Sequence, residues 1–264
     1  MKMTEWRGLG LKIKRIAHRG FSSEAPENSR AAFALAMEGD FYGVECDVWR
    51  TKDGVYVVSH DGHLERMCGV DRYIPEMTSH QVMGYPFVKG KRRTMHPAQY
   101  VIPLTEYLSL LGRSETKHPV IELKMDYTAA QLAEIIRLVK QYDLYERTFF
   151  ISLYGGVLIR LKEELGVPAE RLQYVYGAIR ANKYIPVNLE VEHFLIENRL
   201  NLDTRYTLLS RGNVIRLHEV GLEVNVWTVN RKKEMDYVIR ELGVDMVTTE
   251  YYHELDEAAD RGVM

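Results

Sequence analysis

The sequence predicts an α/β chain closed into a TIM (β/α)8 barrel, with a small cap inserted after the second strand. Three observations lead there. Short β-branched runs alternate with longer helical patterns from end to end, the signature of parallel strands joined by crossover helices. Eight such units close into a barrel more readily than they form an open sheet. A chain of 264 residues, 46% of them apolar, is also long enough to bury one large core. A single domain over residues 1–264 is expected, with residues 63–100 as the inserted cap.

Taken in order, strands are expected at 15–20 (RIAHRG), 43–49 (GVECDVW), 120–123 (VIEL), 147–153 (RTFFISL), 172–177 (LQYVYG), 223–229 (EVNVWTV) and 245–249 (DMVTT). An eighth must lie within 190–209, where HFLI (193–196) and YTLL (206–209) compete. The helix SRAAFALAMEG opens on Asn28 or Ser29 as N-cap and closes on Gly39, expected to take the left-handed turn that ends a helix. Over 127–143, Leu132, Ile135, Ile136 and Val139 recur at helical spacing and face one side to a sheet. Helical patterns at 106–112, 155–166, 210–220 and 231–242 continue the alternation. Between His60 and residue 106 the chain runs far longer than the ordinary βα loop of about 2 to 6 residues, and this excess is the expected cap. Its Lys89, Lys91, Arg92 and Arg93 could touch anionic groups or form a solvated surface.

Thirty-five Lys and Arg against 37 Asp and Glu leave a formal charge of -2, so nothing suggests a nucleic-acid partner. The first fifteen residues scatter charges without a continuous apolar core, and neither a secretory signal nor an integral membrane segment is expected. A cytoplasmic location is the default. Two cysteines are too few for a disulfide scaffold and lack zinc-site spacing. Cys46 lies between Glu45 and Asp47 on a strand, so it points away from both acids and reads as a buried, inert thiol. Oligomeric state is not legible.

The reactive residue types gather at the carboxyl ends of the expected strands, the face where barrels of this kind carry their chemistry. His18 and Arg19 end the first strand, Glu45 and Asp47 lie late in the second, Glu122 and Lys124 end the third, and Trp227 lies late in the seventh. Glu45 and Asp47 share a face, in a strand otherwise made of Val, Cys and Trp, where unpaired charge is costly. A cation relieves that cost. With Glu122 they make three hard oxygen ligands that suit Mg²⁺ or Ca²⁺ over zinc. Arg19 offers a planar fork to phosphate oxygens and Lys124 a second positive charge. Gly20 permits a sharp turn. Glu27 and Asn28 could orient Arg19 or a histidine, although Asn28 could equally cap the helix. Trp227 could wall the pocket or belong to the core.

The run IAHRGFSSEAPENSRAAF...GVECDVWRTKDGVYVVSHD resembles the glycerophosphodiester phosphodiesterase family, and the resemblance continues through VIELK, VNVWTVN and GVDMVTTE, spanning nearly the whole chain. It implies a hydrolase that converts glycerophosphodiesters to glycerol 3-phosphate and an alcohol, with a small phosphodiester as its binding partner. The family's catalytic histidine pair falls on His18 and His60, and its metal ligands on Glu45, Asp47 and Glu122. Imidazoles can take a proton from an attacking oxygen and return one to a departing alkoxide. Which histidine does which is open, as is whether the first nucleophile is water or the substrate's 2-hydroxyl. Ser29 stands where the family has Thr, IPLTEYL is one residue short, and Thr249-Glu250-Tyr251-Tyr252 replaces Thr-Asp-x-Pro, which puts the pocket rim in question. Alternatives are a lysophospholipase D using the same site, a two-histidine phospholipase C, and a catalytically silent binding or regulatory barrel.

Overall fold

The structure, a computed structural model, describes residues 13–177, 179, 180 and 183–251. Most of the N-terminal segment read for a signal, together with Tyr252 and His253, lies outside the described residues.

Eight parallel strands form the barrel: β1 (Lys14–Ala17), β2 (Gly43–Arg50), β5 (His118–Leu123), β6 (Phe149–Ser152), β7 (Leu172–Tyr176), β10 (Asn201–Arg205), β11 (Val224–Trp227) and β12 (Met246–Thr249). Closure comes from β1, which pairs with β12 on one side and β2 on the other. Seven strands fall where the sequence placed them. The eighth, β10, is neither candidate: HFLI lies in helix α7 (Leu189–Asn198), YTLL is mostly a single 3₁₀ turn, and the strand is the polar run NLDTR between them. Two short strands escaped the sequence reading. β3 (Tyr56–Val58) runs antiparallel to β2, and β4 (Ile102–Pro103) antiparallel to β3. A further hairpin, β8 (Ile179–Arg180) with β9 (Lys183–Tyr184), follows β7.

Helices α1 (Arg30–Glu38), α4 (Leu104–Leu111), α5 (Ala129–Gln141), α6 (Gly155–Glu163), α7, α8 (Arg211–Glu219) and α9 (Lys232–Asp236), the last widening into a π-helical turn over Tyr237–Leu242, are spread along the chain between the barrel strands. α5 buries the four residues expected, Leu132, Ile135, Ile136 and Val139. Ser29 is the N-cap of α1, its Oγ accepting from the Ala32 N–H. Gly39 does end α1, but with φ −77 and ψ 161 it is extended and not left-handed. Its value is space: a Cβ there would stand 3.0 Å from the Phe41 ring.

The main apolar core unites inward helix faces with strand residues such as Val44, Cys46 and Ile121, while Ile16, Val120, Phe149, Ile151, Val175 and Met246 form a separate cluster. Between β3 and β4, two short helices, α2 (Glu65–Cys68) and α3 (Ser79–Val82), and two 3₁₀ turns surround a third cluster that includes Leu64, Met67, Ile74, Val82 and Phe87. This segment therefore packs most of its apolar side chains against one another. Among the described residues no helix is long and apolar enough to cross a membrane.

Candidate active site

The site begins with the backbone after β1. Arg19 (φ 56) and Gly20 (φ 78) are both left-handed, which turns the chain sharply and aims the Arg19 N–H at Glu45, to which it donates at 2.7 Å. Glycine is needed at 20 because a Cβ would lie 2.7 to 2.9 Å from the Ala32 backbone and side chain. The loop returns at Asn28, also left-handed (φ 53), whose N–H donates to the Arg19 carbonyl. Its side-chain amide donates to Asp47 Oδ2 at 2.7 Å. With Ser29 capping the helix, Asn28 is free to hold Asp47.

On β2 and β5 the pairing sets Asp47 directly beside Glu122. One oxygen from each of Glu45, Asp47 and Glu122 lies within 4.8 Å of the others. Glu45 Oε1 is buried without a hydrogen-bond donor, and Asp47 Oδ1, also buried, has no well-aligned one. Burial, with Asp47 and Glu122 close by, pushes the Glu45 carboxyl well above the usual range, and burial also raises Glu122 despite Lys124. Burial would raise Asp47 as well, but Lys124 and Arg19 hold it below the usual carboxylate range. The cluster thus brings three carboxylates together where water cannot screen them, and leaves Glu45 Oε1 without a hydrogen-bond donor and Asp47 Oδ1 with only the Lys124 ammonium, at 3.2 Å. A divalent cation with oxygen preference fits this donor set.

Lys124, one residue past β5, sits 2.9 Å from Glu122 Oε1 and 3.2 Å from Asp47 Oδ1. Arg19 donates from Nη1 to Glu27 at 2.9 Å, and its Nε lies 3.5 Å from Asp47. His18 follows β1, its N–H bonded to the Thr249 carbonyl and its Nδ1 3.7 Å from Glu250. Burial lowers its pKa, favouring the neutral ring. His60 places Nδ1 2.7 Å from Asp61, and Asp61 is held at about 2 first by this bond and then by Arg66. A carboxylate this acidic only accepts, so Nδ1–H donates to it and Nε2 is the ring nitrogen left for exchange with a substrate. Arg66 bridges Asp61 and Glu27 and so ties the His60 side of the site to Arg19.

A cavity of about 210 Å³ opens here, lined among others by His18, Arg19, Glu45, His60, Glu122, Lys124 and Trp227. Its far wall is apolar, with Ile151, Leu153 and Val175. Every site residue expected from the sequence is therefore brought to one place. Asp47, Glu27 and Asn28 reach it from behind the lining. Four others were missed. Asp61 is the chain neighbour of His60 and orients it locally, whereas the pairing of Arg66 with Glu27 and of Glu250 with His18 depends on long-range geometry. Asp203 on β10 is buried in the cavity lining, burial and Glu122 pushing its carboxyl well up, with Oδ1 unpartnered. It was hidden because the strand itself was not found.

Comparison with known proteins identifies the family and the fold. Residues 18–254 match the model of the glycerophosphoryl diester phosphodiesterase family. A glycerophosphodiester phosphodiesterase of Caldanaerobacter subterraneus subsp. tengcongensis is 28% identical, over 91% of this chain and 95% of its own. The crystal structure of a glycerophosphodiester phosphodiesterase from Parabacteroides distasonis superposes with a TM-score of 0.72 at 25% identity, covering 94% of this chain and 97% of that one. A phosphodiesterase from Oleispira antarctica, solved in complex with the product sn-glycerol-3-phosphate, superposes with a TM-score of 0.79 at 23% identity, over 94% and 96% of the two chains. The family match covers most of the chain and includes every residue of the cluster just described, and the chain belongs to the glycerophosphoryl diester phosphodiesterase family.

Proposed function

We propose that the chain is a metal-dependent hydrolase that cleaves glycerophosphodiesters to glycerol 3-phosphate and an alcohol. The observation that carries this reading is the convergence of Glu45, Asp47 and Glu122, with Glu45 Oε1 buried and unsatisfied, on a cavity also lined by two histidines, an arginine and a lysine. The three carboxylates would hold Mg²⁺ or Ca²⁺. A bound divalent cation supplies positive charge to the phosphoryl oxygens as negative charge builds.

Arg19 and Lys124 orient the phosphate and share that charge from the protein side. His18, kept neutral by burial, accepts the proton of the attacking hydroxyl through a ring nitrogen. His60, its Nδ1–H fixed by Asp61, returns a proton from Nε2 to the departing alkoxide. Each turnover therefore moves one proton onto His18 and one off His60, and exchange with water resets both. Trp227 walls the glycerol or the leaving alcohol. Glu27 and Asn28 act behind these groups, on Arg19 and Asp47. Residues 63–100 serve as a cap within a single domain, and the cytoplasm remains the proposed compartment.

Because the cap gathers most of its apolar side chains into a cluster of its own, a small polar alcohol is the favoured leaving group. The apolar wall of Ile151, Leu153 and Val175 supports a second reading, in which one acyl chain is retained as in a lysophospholipid. Phosphorus NMR of products from glycerophosphoethanolamine and from lysophosphatidylethanolamine below its micelle concentration, run with and without chelator, tests both. The expected result is glycerol 3-phosphate from the first substrate, higher kcat/KM on it, and no product with chelator. A preference for the lysolipid would promote the second reading, and turnover after exhaustive chelation would sink the first.

A further inference from the structure

Two unlike surface patches face each other across the mouth of the cavity. In barrel order, β6 and β7 stand opposite β12 and β1. After β6, Leu153 and Tyr154 are 47% and 44% exposed; after β7, Tyr184 and Leu189 are 42% and 60% exposed. Isolated exposed apolar residues are ordinary, but four on adjacent loops of one rim form a patch. The opposite rim carries the run Lys89-Gly90-Lys91-Arg92-Arg93, followed by Met95 at 70% exposure. Its contacts place it there. Arg92 pairs with Glu24, His96 Nε2 meets the Glu24 carbonyl at 2.8 Å, and Lys91 approaches the Tyr251 hydroxyl at 3.5 Å. Glu24 belongs to the loop after β1, and Tyr251 to the chain after β12.

The charge is local. Residues 63–100 carry six Lys and Arg against three Asp and Glu, within a chain of formal charge -2. Among the described residues Lys89 and Arg93 have no ion-pair partner, whereas Glu24 and Glu27 nearby are taken by Arg92 and by Arg19 and Arg66. The exposed acid on the apolar rim is Glu190, next to Leu189. A second copy of the chain would set one basic run against the same surface of its mate, with little free acid to receive it.

We propose that this face docks on an anionic phospholipid surface, with Lys89, Lys91 and Arg93 meeting lipid phosphates while Leu153, Tyr154, Tyr184 and Leu189 enter the headgroup boundary. Basic residues near an anionic bilayer attract it additively, and tyrosine and leucine suit the interface where one end is wet. The cavity mouth then opens toward the lipid plane. The docking does not depend on which phosphodiester the site cleaves.

Sedimentation of the full chain with phosphatidylglycerol-containing vesicles, against pure phosphatidylcholine vesicles and without substrate, tests it. The chain should partition to the anionic vesicles only, and less in about 1 M than in about 0.1 M salt. Lys89→Gln with Arg93→Gln should weaken partitioning roughly fivefold per residue. Tyr154→Ser with Leu189→Ser should weaken it as well, circular dichroism confirming that both variants fold. Equal partitioning to both vesicle types, no partitioning, indifference to either variant pair, or a dimer that Tyr154→Ser with Leu189→Ser dissolves would each overturn the proposal. Since no substrate is present, such a failure leaves the hydrolase reading standing, and loss of turnover leaves the docking standing.

Discussion

Replacing Asn28 separates two contributions that the structure combines in one residue. Its amide donates to Asp47 at 2.7 Å in a fully buried setting, and its backbone is left-handed at φ 53. A hydrogen bond to a charged group contributes about 1.5–3 kcal/mol, and a left-handed alanine costs about 1–2 kcal/mol. Asn28→Ala should therefore lose roughly 3–5 kcal/mol of stability, and Asn28→Gly, which keeps the backbone freedom, should recover about 1–2 kcal/mol of that. Both variants release Asp47 Oδ2, so divalent-cation affinity should fall about 10- to 100-fold in each, by the same factor, because only the amide bears on the ligand. Urea unfolding gives the first quantity and calorimetric titration with Mn²⁺ the second. Asn28→Gly binding the ion within about twofold of the wild type would refute the role given to the amide.

Other expectations follow from the same geometry. His18→Ala and His60→Ala should each lower kcat by at least ~10², and the double variant should lose far less than the product of the two, since each proton transfer needs its partner; steady-state kinetics on glycerophosphoethanolamine decides, and a multiplicative loss would separate the two residues. Asp61 is held at about 2 by His60 and Arg66, below its unfolded value, so its contribution is present above pH ~4 and lost as pH falls through 2. Asp61→Asn should accordingly be less stable than wild type at neutral pH, with the gap closing toward pH ~2 in thermal scans; a gap independent of pH would contradict this. Burial pushes the Cys68 thiol up to about 11 and Cys46 higher than a free thiol, so a thiol reagent at pH ~8 should react with neither until the chain is unfolded, and fast labelling of the native protein would be the contrary result.

The barrel was legible because most strands are apolar on both faces, and such runs announce themselves. Asp203 and its strand were not, for the converse reason. β10 reads NLDTR: Asp203 lines the cavity and Asn201 bonds the Glu170 carbonyl, so neither follows an apolar pattern, while the greasier HFLI beside it serves a helix. β3 and β4, three and two residues long, are too short to carry a period. At the site, Glu45 and Asp47 stood out as charges in an apolar strand, and their shared face follows from alternation alone. The reach of Arg66 to Glu27 joins positions 39 apart in sequence, which no local spacing reveals. Asn28 held two roles in the sequence, and the hydroxyl of Ser29 on the Ala32 N–H chooses between them.

The central claim is that Glu45, Asp47 and Glu122 hold one divalent cation. Anomalous diffraction from crystals soaked in Mn²⁺, collected for the wild type and for Glu122→Gln, tests it most directly. A single strong peak among the three carboxylates, lost or greatly weakened in the variant, is the predicted result. Manganese bound elsewhere on the chain, or a peak indifferent to Glu122, would contradict the account.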